Sequence, residues 1–447
     1  MAITLDQSPI GWIYGRNKVI IAASSGNYAN DGFRYVFEVE VAGETTTFQL
    51  PPNPANSAII DLSKHITQYL GPRMNGESTQ TSIHELGRST ANLHLNELAS
   101  TNATTTCQLV AVTVKEGWVI AGVFTPTATG QATCSFVAHN ATLKGSWPEF
   151  NLLSPPFDLS ERDLYTGATE FEMAESYGLS NLGGIKIPCT ANDKGILTFI
   201  TDNGTYYAGG FVGNYKIRGV IYDSAGSPTT KDITIAAAAG QITHFGCFPY
   251  NLSQSTIGAG FFDPSAFANY RFYTITLLDA SNNPLSDQYI FFNKDYHCKI
   301  YDGSATPNYI RMAWVNDFGG WDYFNFNYLN QYTQKTERKR MRAISGVYTG
   351  TSYTVKKYDR GVKELSTYSE RTLSVTSKPL DMGEWRLMSS LIRSTEVQIV
   401  NTNITGDGYT ADPIPVVIET NDNVEHRPLD SRLRSITLLA REAHPVV

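Results

Sequence analysis

Charge is what this sequence has least of. Only 17% of its 447 residues are Asp, Glu, Lys or Arg, against roughly a quarter in an ordinary soluble domain. The net charge is −7, so no overall basic field draws nucleic acid to the chain. Cysteine is sparse as well. Cys107, Cys134, Cys189, Cys247 and Cys298 stand far apart, with no CxxC pair. That spacing and odd count speak against a disulfide framework or a zinc site and read as reduced, mostly buried thiols. No stretch approaches the roughly 20 apolar residues of a membrane-crossing helix, so no membrane insertion is expected. The first residues lack the basic start and apolar run of a secretion signal, which predicts folding in a cytoplasm.

Motifs of chemistry are missing too. The sequence holds no P-loop, dinucleotide fingerprint, HExxH, EF-hand loop or G-x-S-x-G elbow. Its eight histidines are scattered, and His84 and His94 merely bracket a polar stretch. Glu170, Glu172 and Glu175 could supply a glycosidase carboxylate pair, but acidic residues two apart on a strand read better as a solvated face. Segment 401–412 is rich in oxygen ligands suited to calcium, although Asn and Gly there equally serve hairpin turns. No enzyme activity, metal or cofactor is expected.

What is present is aromatic and β-branched. Aromatics reach 12%, with 25 Tyr and 21 Phe, and Thr, Asn, Ser and Gly fill the place of charge. Such side chains favour pleated sheets joined by turns. Short strand-like runs recur with turn signals between them, which predicts a mainly β, multi-domain β-sandwich of immunoglobulin or fibronectin type. One or two short helices are expected beside the sheets.

Three modules are expected, at 1–154, 155–299 and 300–447. In the first, KVIIA (18–22) and the alternating FRYVFEVEV (33–41) read as strands. The next strand starts at 48–50 and is ended by the Pro-rich 51–54. A short helix over 63–70 and strands near 107–114 and 118–124 follow. Segment 152–157, with two prolines, reads as a linker. The central module is predicted to hold strands near 184–188, 195–200, 215–222 and 233–236, and a hairpin from 271–278 to 287–292. In the third, IRMAWV (310–315) turns through 316–320 into WDYFNF (321–326). Residues 353–358 are expected to turn at 359–361 and return through Val362. A helix over 381–394 carries Trp385, Met388, Leu391 and Ile392 as an apolar stripe. Strands near 396–400, 414–419 and 433–439 complete the module.

Two features of this last module suggest contact with other chains. KTERKRMR (335–342) is a basic run in a chain poor in charge. It could meet phosphates, but it reads better as guarding a sheet edge or pairing with acids on a neighbouring subunit. Strand 321–328 carries aromatics on both faces, so it should be covered on both sides, by core and by a partner or helix. The candidate interface residues are therefore Trp314, Trp321, Tyr323, Arg338, Arg340, Arg342, Arg360 and Trp385.

These elements also carry a resemblance. The opening, with KVIIAASS, FRYVFEVEVAG, LPPNP and then Asp61-Leu62-Ser63 before a short helix, resembles a family of phage tail or neck structural proteins. These are encoded by phages and prophages of Bacteroidetes-type bacteria, including the crAss-like phages. RMAWVNDFGGWDYFNF (311–326), Glu337-Arg338-Lys339, YTVKKYDRGVKEL (353–365), the Trp-containing helix with Ser394-Thr-Glu-Val397, and LRSITLLAREA follow in the same order. The central module matches only in YRFYTITLLDASNNPLSDQYIFFNKD.

The resemblance implies a non-enzymatic virion component of β-sandwich modules that forms homo-oligomeric rings in a tail or neck and is assembled in the bacterial cytoplasm. Its implied partners are further copies of itself, other neck and tail proteins, and passing DNA held without sequence-specific contact. A receptor- or glycan-binding tail appendage is the alternative.

Overall fold

In Phe33–Val41 every second residue is large and apolar, and these side chains sit inside the fold while Arg34, Glu38 and Glu40 face outward. That alternation is the period of a half-buried strand. The computed structural model describes residues 3–29, 31–76, 82–87, 92–99, 106–120, 122–142, 185–190, 193–206, 213–223, 226–254, 270–293, 309–326, 329–342, 346–357, 361–377, 380, 382–400, 413–420 and 435–443. The expected linker at 152–157, the carboxylates at 170–175, the loop at 401–412, Cys298 and Arg360 lie outside the described residues. The chain is mainly β, with several multi-strand sheets of the kind a multi-domain β-sandwich uses.

The first stretch contains β1 (Thr4–Gln7), β2 (Gly11–Tyr14), β3 (Ile20–Ser24), β4 (Phe33–Val41), β5 (Glu44–Leu50), β6 (Ser57–Asp61), the short helix α1 (Ser63–Thr67), β7 (His94–Leu98), β8 (Cys107–Ile120) and β9 (Val123–His139). Sheets β1-β3-β6 and β2-β9-β8-β4-β5 enclose a core that includes Ile21, Phe33, Phe37, Val112, Phe136 and Ile66 of α1. β4 turns directly into β5 through Ala42 and Gly43, with φ of 53° and 80°. Two consecutive positive φ values are the mark of a type I′ hairpin. The expected strand across 118–124 is instead the end of one hairpin strand and the start of the next, with Gly122 at a φ of 83° in the turn.

The central stretch supplies β10 (Ile185–Cys189), β11 (Ile196–Ile200), β12 (Asn214–Asp223), β13 (Pro228–Ala236), β14 (Gln241–Gly246), α2 (Pro249–Gln254), β15 (Tyr270–Leu278) and β16 (Tyr289–Asn293). Five of the strands form the sheet β10-β16-β15-β12-β13. The other two pair with β7 in the order β11-β14-β7, so a strand from before residue 154 completes a sheet of later residues. Every residue of β11 and β14 is buried. Ile200 and Ile242 meet Trp12, Tyr14 and Val137 of the first stretch, while Phe199 and Phe245 enter the largest core.

The last stretch holds β17 (Ile310–Val315), β18 (Trp321–Phe326), β19 (Leu329–Arg342), β20 (Val347–Tyr348), β21 (Tyr353–Thr354), β22 (Val362–Thr376), α3 (Met382–Arg393), β23 (Val397–Ile399), β24 (Ile414–Ile418) and β25 (Thr437–Glu442). Seven strands form one sheet, in the order β18-β17-β23-β24-β25-β22-β19. α3 buries Leu387, Met388 and Leu391, and Trp314 Nε1 donates to Ser390 Oγ on this helix at 2.9 Å. The expected hairpin from 353–358 to Val362 does not form. β21 pairs with β20, and β22 pairs with β19 along its whole length.

Candidate assembly interface

β19 and β22 have 14 and 15 residues, and neither contains a proline or glycine to interrupt it. Their pairing runs from Leu329 opposite Thr376 to Arg342 opposite Val362, a length of about 45 Å at the usual rise. Only the base is anchored. Leu373 and Val375 are buried, and β25 supports β22 over Thr372–Thr376 alone. Past that point the two strands continue without a third among the described residues. Gln331 to Arg342 and Val362 to Tyr368 are exposed residue after residue, and so is the β20–β21 hairpin beyond them. This is an arm, a two-stranded ribbon with water on both faces.

Such a ribbon has little intrinsic stability, since two strands alone are marginal in water. It is also apolar for its position. Among the described residues, nine of the sixteen exposed large apolar side chains lie on it: Tyr332, Met341, Val347, Tyr348, Tyr353, Val355, Val362, Leu365 and Tyr368. Uncovered apolar surface gathered in one place marks an interaction site, whereas the same residues scattered singly would not.

The arm is basic as well. Residues 335–368 hold nine Lys or Arg and three Asp or Glu, a net +6 on a chain of −7, which leaves −13 elsewhere. Arg338, Arg340 and Arg342 are two apart on β19, so they share a face at about 7 Å steps. Arg338 and Arg340 share Glu364, at 3.1 and 3.9 Å. Exposed pairs of this kind are worth about 0–1 kcal/mol, so the arginines are not committed to holding the fold. Arg342 is exposed at the far end of the strand.

The aromatic candidates are elsewhere. Trp314, Trp321 and Tyr323 belong to the largest core and have less than a tenth of their surface exposed. Side chains so enclosed have no surface to offer a neighbouring subunit, which removes them from the interface. The two-sided cover expected of β18 is there, but it comes from this chain: His84 and Phe248 pack on Trp321 and Tyr323 of one face, and Asp322, Phe324 and Phe326 of the other face are buried as well. Trp385 is half-buried against the same core.

Around β18 lies a buried polar knot that draws on distant segments. Asp193 accepts hydrogen bonds from Thr190 N (3.0 Å), Tyr309 OH (2.6 Å) and Asn325 Nδ2 (3.0 Å). Arg311 donates from Nε to Lys194 O and from Nη1 to Asn325 Oδ1, with its guanidinium 4.4 Å from the centre of the Phe248 ring. Lys194 pairs with buried Glu85. Tyr323 OH donates or accepts with His84 Nδ1 at 2.9 Å and accepts from Ile196 N at 3.0 Å. Burial holds His84 down at about 3, so the imidazole is neutral at any physiological pH.

One chain of groups has the connectivity of a catalytic triad. Thr198 Oγ1 lies 3.0 Å from His244 Nδ1, and His244 Nε2 lies 3.2 Å from Glu97 Oε2. All three residues have at most 3% of their surface exposed, so no substrate reaches the hydroxyl and the chain ties β11, β14 and β7 together. Burial pushes Glu97 up, but the His244 bond and charge, Thr106 N and Arg73 together bring its carboxyl below the usual range. Among the described residues, no group of three or more His, Cys, Asp or Glu is placed to hold a metal ion.

No protein-family model matches this chain, and no curated protein sequence matches it.

Proposed function

We propose that this protein is a non-enzymatic virion structural protein, a subunit of a homo-oligomeric ring or collar in a phage neck or tail. The arm is the observation that carries this reading. A ribbon exposed on both faces, carrying nine large apolar side chains, gains its stability by being covered by something outside its own chain. Closed rings arise when one surface of a subunit meets a different surface of the next, and a projecting arm supplies one half of such a contact. The ordered resemblance of the first and last modules to phage tail or neck proteins favours the same role.

The test is twofold. Purified protein should sediment as a defined oligomer and show rings by negative-stain electron microscopy, and mass spectrometry should find the chain in purified virions. A strictly monomeric protein absent from virions would contradict the proposal.

A further inference from the structure

Two arginines from opposite ends of the sequence, Arg16 and Arg393, line one cleft. It holds about 530 Å³, within the range of small-molecule sites. Its walls are Arg16, residues 140–142 after β9, residues 315–317 where β17 turns toward β18, and residues 393–395 at the end of α3. Main-chain hydrogen bonds fix these walls to one another. Arg16 N donates to Ala141 O (3.2 Å), Thr142 N to Asp317 O (2.7 Å) and Val315 N to Glu396 O (3.1 Å). Gly319, at a φ of 84°, lets the turn sit against Asn140, since a β-carbon there would lie 2.4 Å from Asn140 O. The cleft is therefore preformed.

Arg16 is half-buried, and both of its hydrogen-bond partners are neutral. Its Nε donates to Asn140 Oδ1 at 2.7 Å and its Nη1 to Thr395 Oγ1 at 3.3 Å. A guanidinium has five N–H donors, so three remain, and no carboxylate lies within ion-pair distance among the described residues. Burial lowers the pKa of Arg16, and the charge of Glu396 offsets only part of this. Thr395 Oγ1, an acceptor for Arg16, keeps its own proton to donate. Buried Asn140 leaves Nδ2 without a partner.

On another wall Arg393 Nη2 pairs with Asp317 Oδ2 at 2.8 Å, an exposed pair of the kind that holds loosely. The C-terminal end of α3 carries about half a negative charge, which Arg393 at that end outweighs. Arg16 also borders a shallower hollow beside Lys64. The two hollows together present three cations and one acid, on a chain of −7.

We propose that this cleft binds a phosphate group, free or carried on a small polar molecule, between Arg16 and Arg393. A carboxylate is planar and is satisfied by a single guanidinium. Here the donors come from two walls, Arg16 on one and Arg393 and Thr395 on the other, which suits an anion with oxygens on four sides. Held there, the ligand ties the segment after β2 to the end of α3. The site goes beyond the assembly reading and does not depend on it.

Isothermal titration of the full-length protein in chloride buffer tests it, with inorganic phosphate, adenosine 5′-monophosphate and succinate as probes. One saturable site per chain is expected for the two phosphates, and succinate should bind about tenfold more weakly or worse. Tighter binding of the monophosphate supports the site as one for phosphate esters, and equal or tighter binding of inorganic phosphate supports it as one for the free ion. Arg16→Gln should weaken phosphate binding by about tenfold or more, the worth of one charge-assisted hydrogen bond. Arg393 is exposed, so Arg393→Gln keeps the fold and should weaken binding by about threefold, whatever becomes of the Arg16 variant. Arg218→Gln, on β12 and outside the cleft, should bind like wild type. No saturable phosphate binding, succinate as tight as phosphate, or cleft variants that bind like wild type would each overturn the proposal. An equal loss in Arg218→Gln would overturn it too, because it marks non-specific attraction.

Discussion

Arg311 and Asp193, 118 residues apart in sequence, meet as an ion pair with almost no exposure: Nη1 of the arginine lies 3.4 Å from Oδ2 of the aspartate. The pair fastens the start of β17 to the turn before β11. Opposite charges this deep stabilise only when both are present and their remaining atoms are bonded, because removing either strands the other in a low-dielectric interior. Asp193→Ala and Arg311→Met should each cost about 3–5 kcal/mol in urea unfolding. The double variant should cost less than the sum of the two single variants, and strictly additive losses would show that the pair is not coupled.

Acid should loosen the fold through two buried histidines. His84 is held at about 3 and His139 at about 4, both mainly by burial, while in the unfolded chain they titrate near 6.5. Between those values the unfolded state binds more protons than the folded state, so stability rises with pH. As pH falls below 6.5, each histidine should cost about 1.4 kcal/mol per pH unit until its folded value is reached. Glu97 acts in the same direction at lower pH, because its depressed carboxyl stabilises above the unfolded value of 4.5 and loses this contribution as pH falls through the folded one. Urea midpoints should therefore hold nearly level from pH 7.5 to about 6.5 and fall from there to 4.5, and His84→Gln should flatten that fall by about one proton. A flat profile in the wild type would refute this account.

Thiol chemistry should be silent in the native state. Cys107, Cys189 and Cys247 are buried, and burial pushes the Cys107 and Cys247 thiols well up. Cys134, partly accessible, is pushed up to about 11, mainly by burial. The thiolate is the reactive form. Peptide mapping after maleimide treatment at pH 7.5 should thus leave Cys107, Cys189 and Cys247 unmodified, and denaturant should expose all three. Rapid native labelling of any of them would contradict the packing of β8, β10 or the segment after β14.

The sequence made β4, β17 and β18 legible for one physical reason: burial imprints a pattern. One covered face leaves an alternation, as in FRYVFEVEV, and two covered faces leave aromatics on both, as in WDYFNF. The arm carries neither imprint, because water meets both of its faces. Its strands are readable only negatively, as 14 and 15 residues free of Gly and Pro and rich in Thr, Tyr, Ser and Arg. For the same reason Trp314, Trp321 and Tyr323 look like interface residues in the sequence, although all three are buried. An aromatic strand declares that it is covered, not by what, and here the covering groups, Ser390 of α3, Phe248 and His84, belong to the same chain. The β4–β5 turn was hidden by Ala42, a residue that rarely takes a positive φ.

The central claim is that the arm joins copies together, and shortening it is the most direct test. Lys335 and Glu370 are opposite each other in the ribbon, so replacing residues 336–369 with Asn-Gly closes the strands through a type I′ turn and keeps the anchored base. Wild type and shortened protein should be compared by analytical ultracentrifugation with electron microscopy of the same samples. The account predicts rings from wild type and a folded monomer, with a thermal midpoint unchanged within a few degrees, from the shortened chain. Rings of the same size and concentration dependence from both would contradict it.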